Sequence, residues 1–170
     1  MPDLTLVVIV IIIALVFDFI NGFHDSANSI ATIVATNVLR PRTAVLLAAF
    51  WNFFGAFVFS VAVAATIGKG VINPDIVNIY IILAALLGAI IWNLITWFYG
   101  IPSSSSHALI GGLIGAGFVS SGINSIIFSG LNKILIFIFV APIVGFLGAT
   151  VFSILMMWVF RKSSTFFQSR

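Results

Sequence analysis

Residues 4–39 read LTLVVIVIIIALVFDFINGFHDSANSIATIVATNVL, and this stretch decides the class of fold. A single helix over all of it would run about 54 Å at ~1.5 Å per residue, against about 30 Å of bilayer hydrocarbon. The polar cluster Asn21-Gly22-Phe23-His24-Asp25 divides the apolar run. Glycine lowers helix stability there, and Asn and Asp compete for nearby backbone groups. The expectation is a broken first helix, two half-helices meeting inside the membrane.

Outward from this stretch, further apolar runs occupy Ala44–Ile67, Ile76–Phe98 and Ile134–Phe160. The chain is 62% hydrophobic and 6% charged, far from soluble composition. No alternating pattern of barrel strands is present, so backbone hydrogen bonding in lipid requires helices. The sequence therefore predicts an all-α integral membrane protein, residues 1–170 forming one transmembrane domain. The first run is read as retained, since no Lys or Arg precedes it and no small-residue cleavage site follows. Without cysteine, disulfides and thiolate chemistry are excluded.

The net charge of +3 comes from residues scattered at the ends of apolar runs, which argues against a nucleic-acid partner. Arg40 and Arg42 follow the first run, and Arg161, Lys162 and Arg170 follow the last. The positive-inside rule then gives a multi-pass protein of the cytoplasmic membrane, its N-terminus outside, its C-terminus cytoplasmic and its crossings odd in number.

Arg40-Pro41-Arg42 turns the chain into a second helix, Thr43 to about Ile67, and a third is expected from about Asp75 to Tyr99. Gly100-Ile101-Pro102 ends it. The Ser/Gly-rich segment from Pro102 to about Val119 is either a short crossing or part of a re-entrant hairpin. Its Gly111-x-x-x-Gly115 spacing permits close helix approach.

Two constellations carry chemistry. Asp18, Asn21, Asp25, Asn28 and Thr32 recur in steps of three and four, one face of a helix. Ionisable groups at membrane depth usually line a path for ions or substrate. The stripe reads as a cation or proton site, with Asp25 as charged ligand and Asn21, Asn28 and Thr32 as neutral oxygen donors; polar helix packing is the competing reading. The expected break rotates Asp18 away, and His24 is either a proton carrier or a packing partner.

The second constellation, Pro102 to His107, reads as a helix start that offers amide and hydroxyl donors to an anion. A capped surface loop competes with it. Catalysis is not expected, because Ser106 and His107 are neighbours that point apart and no orienting carboxylate accompanies them. Asn52 and Asn93 place single polar groups in the next two helices, either lining the same cavity or bonding between helices. Trp51, Trp92, Trp97, Tyr99 and Trp158 read as packing or interface anchors.

The stretches Asn21-Gly22-Phe23-His24-Asp25-Ser26-Ala27-Asn28 and Gly100-Ile101-Pro102-Ser103-Ser104-Ser105-Ser106-His107 resemble the two signatures of the inorganic phosphate transporter (PiT) family. Residues 41–55 and 89–97 resemble its bacterial low-affinity branch. The resemblance implies symport of inorganic phosphate by two inverted repeats, of which this chain carries the N-terminal one, with no C-terminal repeat. It implies phosphate contacts from Asn28, Ser104, Ser105, Ser106 and His107. Coupling-ion contacts fall to Asn21, Asp25, Thr32, Asn52 and Asn93.

Asn52 stands where sodium-coupled animal relatives carry Glu, which favours protons, while Asp25 keeps sodium open. The resemblance implies no cofactor; divalent metal–phosphate is a possible form of the substrate, and no metal site is assigned. The expected partners besides phosphate are the bilayer and either further copies of this chain or a complementary C-terminal half. Two alternatives stand beside this reading: a sulfate permease of the same family, and a fragment or structural subunit that needs a second half to transport.

Overall fold

The computed structural model describes residues 3–161. Its helices are α1 (Leu4–Ala35), α2 (Pro41–Gly70), α3 (Ile79–Phe98), α4 (Ser105–Ser121) and α5 (Phe128–Phe160), with 3-10 turns at Pro74–Ile76 and Ile123–Ser125. Lys162 and Arg170, used above to infer topology, lie outside the described residues. Among those described, α1, α3 and α5 are long and apolar enough to cross a membrane.

The expected break in α1 is absent: one helix of 32 residues runs through Asn21–Asp25. The polar side chains do not divert its backbone. The Ser26 hydroxyl donates to the Phe23 carbonyl at 2.9 Å and that of Ser29 to the Asp25 carbonyl at 3.3 Å, both on the helix's own ladder. Gly22 costs such a helix only about 1 kcal/mol. At ~48 Å the helix outreaches the hydrocarbon, which calls for tilt or protruding ends. Asp3 caps its start, accepting from the Thr5 amide. The helix stops at Ala35, short of Leu39, because Asn37 takes a φ of 57° while the Val38 amide bonds back to Ile33.

α3 starts at Ile79 rather than near Asp75, because Asn78 accepts from both the Tyr80 and Ile81 amides at 3.0 Å. Asp75 sits in the preceding 3-10 turn. The other end of α3 closes on Gly100, φ 64°, with the Ile101 amide on the Thr96 carbonyl at 2.8 Å. Pro102 then prevents any continuation.

α4 returns along α3 in the tightest packing of the unit that extends through Phe128. The close approach runs through Gly112, where a Cβ would lie 2.5 Å from the Ala85 carbonyl oxygen. Gly111 and Gly115, the pair expected to make it, face open space: a Cβ at either position would meet nothing within 4 Å. The segments before α3 and after α4 are tied by an antiparallel bridge, Ile72 to Ile126, flanked by bonds from the Asn73 amide to Ser125 and from the Ile127 amide to Val71. The α3–α4 pair is thus a hairpin that leaves and returns at one end.

Between α1, α3 and α4 lies an apolar cluster of Phe17, Leu86 and Ala89, with Ile13, Ala108 and Leu109 against it. α2 packs on α1. The second unit, from Ser129 onward, is the body of α5, an apolar helix with Pro142 inside it and no buried residue.

Candidate functional site

Continuity of α1 changes which residues share a face. At ~100° per residue, Asp18, Asn21, Asp25, Asn28 and Thr32 fall within roughly 80° of one another. A cavity of about 570 Å³ between α1 and α2 is lined by Asp18, Asn21, Asp25, Ser26, Ser29 and Asn52, over a floor of Val45, Ala48 and Ala49. Two carboxylates and several neutral oxygens meet there, and no basic side chain lines the wall among the described residues. This is a donor set for a cation. Asp18, set aside because of the expected break, belongs to it. Asn28 and Thr32 are exposed and lie outside this cavity.

A second cavity, about 360 Å³, opens between α3 and α4 and is lined by Trp92, Ser103, Ser104 and His107, with Gly88, Gly111 and Gly112 keeping it open. No carboxylate lines it among the described residues. Ser104 caps α4, its oxygen accepting from the His107 amide at 3.4 Å. The four serines part company because Ser103 and Ser104 precede the helix while Ser105 and Ser106 begin it, where successive residues turn by ~100°. Ser103 and Ser104 line the cavity, Ser105 is buried, and Ser106 is exposed.

One turn beyond the apolar cluster on α1 and α3, and one turn back on α4, comes a polar layer containing Asn21, His24, Asn93 and Ser105. Asn93 is 0% exposed and Ser105 1%. Both amide atoms of Asn93, Oγ of Ser105, Nδ1 of His24 and Oδ1 of Asn21 find no hydrogen-bond partner among the described residues. Buried polar atoms are rarely left so, and each costs about 1–3 kcal/mol until water or a ligand satisfies it. Thr96, beside them, is satisfied by the Trp92 and Asn93 carbonyls. His24 Nδ1 lies 3.9 Å from Asp25 Oδ1, which links this layer to the acidic wall. Asn93 lies here rather than in the cavity that Asn52 lines.

The sequence reads Trp92 as an anchor and places Ser103 in the serine run without assigning either a phosphate contact. The Trp92 indole N–H donates to Ser103 Oγ at 3.1 Å. No signal in the sequence marks Trp92 apart from Trp97, which packs on Phe23 with ring centroids 5.3 Å apart. Among the described residues no three His, Asp or Glu side chains gather as a metal site would require.

Comparison with known proteins bears on what these cavities serve. Residues 21–169 match the model of the phosphate transporter family. A probable low-affinity inorganic phosphate transporter of Rhizobium meliloti (strain 1021) is 52% identical over 161 residues, covering 95% of this chain and 48% of that protein. Its counterpart in Bacillus subtilis (strain 168) is 49% identical over 164 residues, covering 95% and 49%. A solved sodium-dependent phosphate transporter superposes with a TM-score of 0.83 at 34% identity, over 91% of this chain and 40% of the other. The chain thus spans about half the length of the curated relatives it matches.

Proposed function

Since this chain belongs to the phosphate transporter family, we propose that it forms one repeat of a secondary-active symporter that moves inorganic phosphate across the cytoplasmic membrane with a cation. The observation that carries the reading is the presence of two unlike cavities in one chain. The cavity between α1 and α2 supplies carboxylates and neutral oxygens, and the one between α3 and α4 supplies hydroxyls beside a helix start.

In this reading Asp18, Asn21, Asp25 and Asn52 hold the coupling cation. Ser104 and His107, with the first free amides of α4, take the phosphate, whose charge favours a helix N-terminus. Asn93 and Ser105, buried and without partners among the described residues, are the groups proposed to couple the two. Asn28, toward phosphate, and Thr32, toward the cation, extend the polar stripe past the cavity. Sodium is the proposed cation, supported by the donor set and by the sodium-dependent transporter of similar structure. Asn52, where Glu stands in sodium-coupled animal relatives, favours a second reading in which protons couple. Because the relatives are about twice as long, the transporting unit is proposed to combine this repeat with another copy or a complementary C-terminal half.

The test is uptake of radiolabelled phosphate into proteoliposomes holding this chain, alone and with a C-terminal half, under imposed sodium or pH gradients. Sodium-driven uptake is expected. Asp25→Asn should lower it about 10- to 100-fold, the scale of a lost contact to a charged group. Uptake that follows the pH gradient and ignores sodium assigns the cation to the proton. Sulfate accumulating in place of phosphate, or no uptake in any combination, would sink the phosphate reading.

A further inference from the structure

We infer that Trp92 is a positioning residue for the oxyanion: its indole N–H turns the Ser103 hydroxyl into a donor aimed at the α3–α4 cavity. The inference rests on the reading of that cavity as the phosphate site and adds two residues to it.

Donor and acceptor inventories fix the direction of the bond. An indole N–H donates and cannot accept, whereas a serine hydroxyl carries one proton and two lone pairs. The 3.1 Å bond from Trp92 therefore occupies acceptor capacity on Ser103 Oγ and leaves its proton to be given elsewhere. Among the described residues no acceptor takes that proton. Ser104 is in the same state, since its oxygen is engaged by the His107 amide while its proton is unspent. Both hydroxyls line the cavity of about 360 Å³. Two hydroxyls that each accept one N–H and keep a proton to give, beside the free amides of Ser105 and Ser106 at the start of α4, make a wall rich in donors.

No carboxylate lines this wall among the described residues, so a cation finds no opposite charge there. A tetrahedral oxyanion, all acceptors, fits it. Trp92 also ties the loop to α3: among the described residues this is the one side-chain to side-chain hydrogen bond that joins two separate segments. Indole is well suited to the task, because its ring packs while its N–H stays fixed in the ring plane.

Equilibrium binding of radiolabelled inorganic phosphate to the purified full chain, with its C-terminal half where binding requires it, tests the inference. Trp92→Phe and Ser103→Ala should each raise the phosphate Kd about 3- to 10-fold, the scale of one neutral hydrogen bond. The double variant should be no worse than either single one, because both remove the same bond. Ser103→Thr, which keeps the hydroxyl, should bind as the wild type does. The cation concentration for half-maximal effect should stay unchanged in all of them.

A Trp92→Phe variant with wild-type phosphate affinity overturns the inference. So does a double variant whose losses multiply, or a cation dependence that shifts in parallel, since either would mark a general packing defect. If Trp92→Phe does not fold, Ser103→Ala against Ser103→Thr reads the same bond from its other end. Wild-type protein that fails to bind phosphate overturns the reading of the cavity itself. Wild-type protein that binds phosphate without transporting it removes only the transport assignment.

Discussion

Asn21–Asp25 and Gly100–Ser104 are both polar, glycine-bearing interruptions of apolar sequence, and only the second stops a helix. At Gly100 the chain turns left-handed and the Ile101 amide closes back onto Thr96, after which Pro102 has no amide to offer. At Gly22 nothing follows that prevents a helix, and the nearby serine hydroxyls bond to carbonyls of the helix they sit on. In this chain polarity by itself does not break the helix; a blocked backbone does. The difference also sorts the chemistry. An unbroken helix has spent its backbone amides, so the middle of α1 addresses a ligand through side chains, among them two carboxylates, which suits a cation. The start of α4 keeps amides unspent and adds serine protons, which suits an anion.

The largest effect that tests this contrast is expected from Gly22→Pro. In a continuous α1 the ring removes one ladder bond and meets the Asp18 carbonyl, a loss of about 3 kcal/mol or more. Thermal unfolding in detergent should show it as a marked drop in midpoint. A midpoint like that of the wild type would mean that α1 tolerates a break where the structure has none, and the contrast with Gly100 would fail.

The hairpin that holds the second interruption in place depends on Gly112 against Ala85. Gly112→Ala places a methyl 2.5 Å from a backbone oxygen, which cannot move aside as a side chain can. About 1–3 kcal/mol of destabilisation is expected, typical of overpacking. Gly111→Ala, facing open space, should stay within about 0.5 kcal/mol of the wild type. Equal losses at the two positions would place the helix contact on the wrong face of α4.

Composition and run length were enough to read the membrane class and the helical fold, and residue periodicity was enough to find the polar stripe from Asp18 to Thr32. What periodicity did not give was the state of the backbone at Gly22, because a glycine among helix-forming neighbours costs little and leaves no local mark. That one missed continuity removed Asp18 from the expected site. The choice of Gly112 over Gly111 and Gly115 was hidden for a related reason: all three are glycines one to four residues apart, and only the rotation of α4 about its axis selects which meets α3. Trp92 was hidden because its partner, Ser103, lies across a turn. An aromatic residue in a membrane helix otherwise reads as an anchor.

Ser104→Ala against Ser106→Ala is the smallest of these tests and the most local, since each removes one hydroxyl from the same run. Ser104 is the cap: its oxygen accepts from the His107 amide, and losing a serine cap costs about 1 kcal/mol. Ser106 is exposed and lines neither the cap nor the cavity, so its loss should fall within about 0.5 kcal/mol. Hydrogen exchange reads the difference directly, because the His107 amide loses its partner in Ser104→Ala and keeps it in Ser106→Ala. Faster exchange at His107 in the first variant alone is expected. Equal exchange in both would mean that the serine run is a solvated loop rather than a built helix start, and the donors assigned to the anion would lose the geometry that makes them donors.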